Sequence, residues 1–369
     1  MRKLLIAIAV IILIGLATNA TSKSDSIINQ IKSGVAVIVD QINIDELQQQ
    51  LSNIFQSIKE ENNILLNESK DEAETRDSPT LNIPDNQIFS VANIELGQSK
   101  STIEAIYGEA KRISLNEYNT YWHTYHDNYN NFFMVTYDKN NQVVGLFTNQ
   151  NLISSKNGIL LGTTKQQVQN IMGKSLDSIH KEFVIYKLPK DRDYDLYEKD
   201  SSYITIFYDQ HENNTVTAIQ IIAKQLEDKK QDIYTIPTKE LIEGFEYQLF
   251  DLTNAERVKH GLSVLTWDEL VRITAREHSL DMAKNNYFSH TNLNGESPFD
   301  RLREDQIQFQ IAGENLAFGQ FSSIYAHEGL LNSLGHRENI LNEDFEYLGV
   351  GVAFNDENQP YFTQKYFAK

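Results

Sequence analysis

The chain contains no cysteine in its 369 residues. Disulfides, thiolate catalysis, cysteine-ligated metals and a lipid-modified cysteine behind an export segment are therefore excluded, and any metal must be held by His, Asp or Glu. Basic charge is also scarce, with 33 Lys and Arg against 51 Asp and Glu and no basic cluster, for a formal charge of -18. Nucleic acid and anionic lipid would be repelled, and the plain reading is a solvated acidic surface. Long apolar runs are missing as well. The run over residues 4–17 follows Arg2 and Lys3 and gives way to small and polar residues through Ala20. It reads as a signal peptide over residues 1–20; the alternative, an uncleaved membrane anchor, would need about 20 apolar residues to span a bilayer. The chain also lacks the motifs that carry mechanism in zincin proteases, serine hydrolases, phosphate-loop proteins and dinucleotide enzymes.

What is present falls into three stretches after the export segment. Residues 21–89 are rich in Asn, Gln, Ser and Glu, and 67–85 carries charges with Pro79 and Pro84, which reads as a linker. Just before it, Ile44, Leu47, Leu51, Ile54 and Ile58 lay one apolar stripe along an expected stalk helix. Residues 90–234 contain an internal echo. Leu96-Gly97-x-Ser99-Lys100-x-x-Ile103-x-x-Ile106-x-Gly108 returns as Leu161-Gly162-x-Thr164-Lys165-x-x-Val168-x-x-Ile171-x-Gly173. Each copy predicts a short helix capped by Ser or Thr and stopped by Gly, followed by a hairpin, over 133–148 and 203–223. Two helix-plus-hairpin units should pack into one α+β domain. The aromatic and His residues Tyr121-Trp122-His123-Thr124-Tyr125-His126 could line a groove, but alternating strand packing explains them more simply.

From residue 241 onward the pattern turns to longer helices. A helix over 250–259, a second running to Asn285 behind Thr266 or Asp268 as cap, a third opened by Ser297-Pro298 and a fourth over 324–333 are expected, with closing strands at 348–354 and 361–367. His278 shares an apolar helix face with Val271, Ala275 and Met282 and reads as a satisfied core histidine. His327 and Glu328 are adjacent, so they point to different helix faces and read as helix surface. Phe288-Ser289-His290, Gly313-Glu314-Asn315 and Gly335-His336-Arg337-x-Asn339-Ile340-Leu341 put two histidines and a carboxylate in one region. Brought together, such groups would make a polar site able to move protons or hold an ion.

These stretches, with Leu252-Thr253-Asn254-x-x-Arg257, His278-Ser279-x-Asp281-Met282, Ser297-Pro298-x-Asp300-Arg301 and Gly349-Val350-Gly351-Val352, resemble the CAP superfamily of cysteine-rich secretory, antigen 5 and pathogenesis-related proteins. The 90–234 stretch resembles the CAP-associated N-terminal domain, which implies a binding or spacing role. The resemblance implies an α+β protein whose residues 241–369 form an α-β-α sandwich. It also implies a cleft lined by His290, Glu314 and His336, with Ser333 where many relatives carry a second glutamate and Leu330 where a Trp is customary. It further implies that His290 and His336 are candidate ligands for a divalent metal such as zinc, with Glu314 as candidate base. Arg337 and Asn339 read more simply as hydrogen-bonded pins, and Glu328 is a remote candidate for the cleft. The expected function is binding of an extracellular wall, lipid or peptide ligand by a secreted or envelope protein, attached to membrane only through an uncleaved N-terminal segment. A metal-assisted hydrolase and a purely structural adaptor are the alternatives.

Overall fold

The computed structural model describes residues 78–369 apart from 182 and 183; the expected export segment, stalk helix and most of the linker lie outside the described residues. The first part holds β1 (Phe89–Val91), α1 (Lys100–Tyr107), β2 (Arg112–Leu115), β3 (Tyr121–Asp127), β4 (Asn130–Tyr137), β5 (Val143–Thr148) and β6 (Ile153–Ser155). It continues through α2 (Lys165–Met172), β7 (Ser178–Lys181), β8 (Val184–Lys187), β9 (Tyr194–Lys199), β10 (Ser202–Asp209), β11 (Thr215–Ala223) and α3 (Lys224–Glu227). Both eight-residue helices begin as their sequence predicts. The Ser99 side chain accepts from Thr102 N, and Thr164 forms a reciprocal capping box with Gln167. Gly108 and Gly173 then end them with φ of 78° and 83°, a region open to glycine.

The strands make one seven-stranded antiparallel sheet in the order β2-β3-β4-β5-β11-β10-β9. It is apolar on both faces. On β4, Phe133, Val135 and Tyr137 join Ile103 of α1 and Val168 of α2 in one core, while Phe132 and Met134 join Leu252, Ala255 and Ile324 from the C-terminal part in another. That is why Phe132-Phe133-Met134-Val135 reads as an unbroken apolar run instead of an alternating one. Each fully buried Phe contributes about 1.5–3 kcal/mol. Trp122 and Tyr125 of β3 divide between the same two cores, which accounts for that aromatic segment as packing.

The C-terminal part comprises α4 (Lys239–Lys259), β12 (Thr266–Trp267), α5 (Glu269–Asn285), α6 (Pro298–Glu304), β13 (Ile311–Phe318), α7 (Ser323–Leu331), α8 (Leu334–Ile340), β14 (Tyr347–Phe354) and β15 (Pro360–Ala368). Asp268 caps α5 and Ser297 caps α6 with proline in its first turn. Strand order is β12-β14-β15-β13, parallel only at β12–β14. Leu348, Val350 and Val352 pack with Leu241, Phe245 and Leu249 of α4. The intervening Gly349 and Gly351 meet α5: a Cβ on Gly351 would lie 1.9 Å from Arg276 N, so only glycine admits the helix backbone there. β13 is an addition to the expected elements, since Gly313 and the polar pair Glu314-Asn315 interrupt its alternation.

Helix α4 and the seven-stranded sheet share a polar seam as well as a core. Asp251 accepts from Arg112 Nε at 2.7 Å and Tyr129 Oη at 2.8 Å, and Gln248 donates to Leu115 O at 2.8 Å. Residues 75–369 accordingly form one compact unit. Helix α7 is covered on every side, so His327 is fully buried rather than on the surface; neither of its nitrogens, nor either oxygen of Glu328, has a hydrogen-bond partner among the described residues. Among the described residues no helix is long and apolar enough to cross a membrane.

Candidate functional site

Glu314 is the hub. It lies in the middle of β13, directly opposite Lys365 of β15, and is only 7% exposed. Lys365 Nζ donates to Oε2 at 2.7 Å. Arg301, brought in by α6, donates through Nη2 to both carboxylate oxygens at 3.1 and 2.9 Å. His290, in the loop between α5 and α6, places Nδ1 2.9 Å from Oε1. Burial alone would raise the Glu314 carboxyl, but the His290 hydrogen bond, Lys365 and Arg301 outweigh it and hold it down at about 2.

The ring chemistry follows from the partners. A carboxylate accepts, so Nδ1 of His290 carries a proton, and in the neutral ring Nε2 keeps a lone pair; the side chain is half-exposed. His278 of α5 is 2% exposed and gives Nε2–H to Ser289 O at 3.0 Å, with the same nitrogen 4.0 Å from Glu314 Oε1. Burial lowers it to about 4, so it is neutral at ordinary pH. His336 on α8 is half-buried, and burial followed by the charge of nearby His290 lowers it too. Its backbone is tied to the strand that bears Glu314: Asn315 donates to His336 O at 3.0 Å, and Asn339 donates to Asn315 Oδ1 at 2.8 Å. Ser333 precedes α8, exposed, without a side-chain cap bond.

His290, Glu314 and the backbone of His336 are thus brought to one region, while Glu328 is buried. Arg337 is a pin: Nη1 meets Asp209 Oδ2 of β10 at 2.9 Å. Sequence reasoning missed the cations. Arg301 stood in a quoted motif without a role, and Lys365, fully buried in the structure, was in sequence only a lysine within an apolar closing strand. Glu314 itself is a weak base, since each oxygen already accepts two hydrogen bonds and a carboxylate near 2 holds a proton poorly. As metal donors, His290 Nε2 and His336 offer two nitrogens. Among the described residues no three His, Asp or Glu gather to hold an ion, one short of the protein ligands a catalytic zinc uses.

Comparison with known proteins bears on the family and the fold. Residues 96–233 match the CAP-associated N-terminal family, and residues 250–366 match the cysteine-rich secretory protein family. The uncharacterized membrane protein YlbC of Bacillus subtilis is 30% identical over 298 residues, covering 74% of this chain and 82% of that protein. YkwD of the same organism is 40% identical over 128 residues, 35% of this chain and 49% of the relative. An extracellular SCP-domain protein from Bacillus anthracis superposes with a TM-score of 0.64 at 26% identity, over 80% of this chain and 99% of that one. A cysteine-rich secretory protein from Staphylococcus aureus shares the fold, with a TM-score of 0.60 at 14% identity over 78% and 100% of the two chains. The chain therefore belongs to the cysteine-rich secretory protein, or CAP, family, with a CAP-associated N-terminal domain ahead of its CAP domain.

Proposed function

We propose that this is an envelope-associated or exported binding protein whose CAP domain takes a wall glycan, peptide or lipid group at His290 and His336. The observation that carries this reading is the saturation of Glu314 by Lys365, Arg301 and His290. A carboxylate so occupied orients an imidazole and is unsuited to activating water. In its neutral form His290 then presents Nε2 as an acceptor, and the backbone of His336 is tied to β13 through Asn315, itself held by Asn339. The relatives described as extracellular and as a membrane protein support a position outside the cytoplasm. Helices α4 and α5 packed against alternate residues of β14 support the sandwich reading of the CAP domain, and the paired caps of α1 and α2 support a duplication ahead of it.

Co-sedimentation of the protein with purified cell walls tests the reading, with the His290→Ala/His336→Ala double variant as comparison. Retention of the wild type and release of the double variant are expected. Turnover of a wall component that depends on added zinc and disappears in the double variant would favour the metal-assisted hydrolase instead.

A further inference from the structure

Helix α7 meets the seven-stranded sheet along the face that carries Ile324, Tyr325, Glu328 and Asn332, residues three and four apart. Ile324 joins the apolar cluster of Phe132 and Phe207, and Tyr325 Oη lies 3.0 Å from Thr205 Oγ1. Asn332 donates to Asp193 Oδ2 at 2.8 Å and to Tyr208 O at 2.9 Å. Glu328 sits between these contacts, buried, and neither of its carboxylate oxygens has a hydrogen-bond partner among the described residues. A carboxyl in such a place is kept neutral unless a cation meets it.

The charged groups that face it are mostly anions. Helix α4 brings Glu256, and the sheet brings Asp193 and Asp209. The nearby cations are committed elsewhere: Lys259 Nζ donates to Glu256 and Thr217, and Arg337 of α8 pairs with Asp209 at 2.9 Å. Of the histidines, His260 bonds Glu256 at 3.0 Å and His211 meets Asn332 O at 3.2 Å. His327 is buried, which lowers it to about 4 and leaves it neutral at ordinary pH. On β13 the charge of Glu314 is taken up by Lys365, Arg301 and His290. Glu117, beside Ser322 at the start of α7, is held at about 7 by burial. Burial and then Glu256 push Glu328 itself well above the ordinary carboxylate range.

We propose that Glu328 makes the joint between α7 and the sheet a pH-sensitive latch, closed while its carboxyl is protonated and opened when that carboxyl ionises. In the closed joint the charge would stand among three other carboxylates with no donor, whereas in the open one water solvates it. A carboxyl raised by closure contributes stability that is complete below 4.5 and is lost as pH rises. Above 4.5 it therefore increases opening tenfold per pH unit until it ionises in place. His327 acts the other way, because below 6.5 it regains its proton on opening, and Glu117 adds to opening up to about 7. Above pH 7, Glu328 is the member of these three that still acts.

Because the chain has no cysteine, a single introduced thiol reports the opening. Thr205→Cys and Ala218→Cys, one variant each, place a thiol at buried positions on the sheet side of the joint; Ala353→Cys, buried within the C-terminal part, is the control. Labelling rates of the full chain by a thiol reagent, divided by the rate of free cysteine at the same pH, measure the open fraction. Above pH 7 the rate at both joint positions should rise about tenfold per pH unit, and adding Glu328→Gln, which copies the neutral carboxyl, should make it level. The Ala353→Cys rate should not follow. Joint labelling that stays level with pH, that rises equally with Glu328→Gln present, or that is matched by Ala353→Cys, as in global unfolding, would overturn the proposal.

Discussion

Around Glu314 two cations and an imidazole meet one buried carboxylate, and the charge balance fails if any member is removed. Glu314→Gln would leave Lys365 and Arg301 buried without their anion, at a cost of about 3–5 kcal/mol in chemical denaturation. The pH dependence has a definite sign. The carboxyl titrates near 2 when folded and at 4.5 ordinarily. The stability it contributes is complete above 4.5 and is lost as pH falls toward 2. Wild type and Glu314→Gln should therefore converge over that window. His290, Glu314 and His336 stood out as candidates in the sequence because each sits in a short conspicuous string. Lys365 was hidden because its meeting with Glu314 depends on strand register across β13 and β15, a non-local relation that no local pattern encodes.

Elements were legible wherever caps and periodicity agree. Asp268 and Ser297 start α5 and α6 where expected, and α5 ends at Asn285 with Asn286 in the left-handed region at φ 52°. β13 was not, since two of its central residues serve the site instead of the alternation. Helix α4 starts at Lys239, well before the expected residue 250, because its first turns pack on β14 through Leu241 and Phe245. Close backbone approach also sets the place of α5. Gly351→Ala should force the helix from the sheet and destabilise by about 1–3 kcal/mol or more, seen as a lowered thermal midpoint. Gly335→Ala, with open space around its Cβ position, is the matched control and should change little.

At the scale of the whole molecule the two family regions form one compact unit, and His327 and Glu328 show why sequence misjudged that. A helix surface was expected; the outer face of α7 is instead covered by the seven-stranded sheet. Burial, then Glu256, pushes Glu328 well above the ordinary carboxylate range, and burial lowers His327 to about 4. For a raised carboxyl, the stabilising protonated form is fully present below 4.5 and is lost as pH rises. Glu328→Gln copies that neutral form. Its advantage over wild type should grow above pH 4.5 by about 1.4 kcal/mol per pH unit until the folded group ionises, measured by urea unfolding at several pH values. The residues 241–369 alone would bare Leu252, Ala255, Ile324 and the unpaired Asp251. That fragment should melt below the longer chain and bind dyes that report apolar surface.

Asn332 and Arg337 bracket Ser333 and His336, yet both side chains reach across to the other half: Asn332 to Asp193 and Tyr208 O, Arg337 to Asp209. The segment that carries Ser333 and His336 is thus moored to β10. It cannot shift without slackening those moorings, so the placement of His336 and the tightness of the joint between the halves form a single mechanical variable.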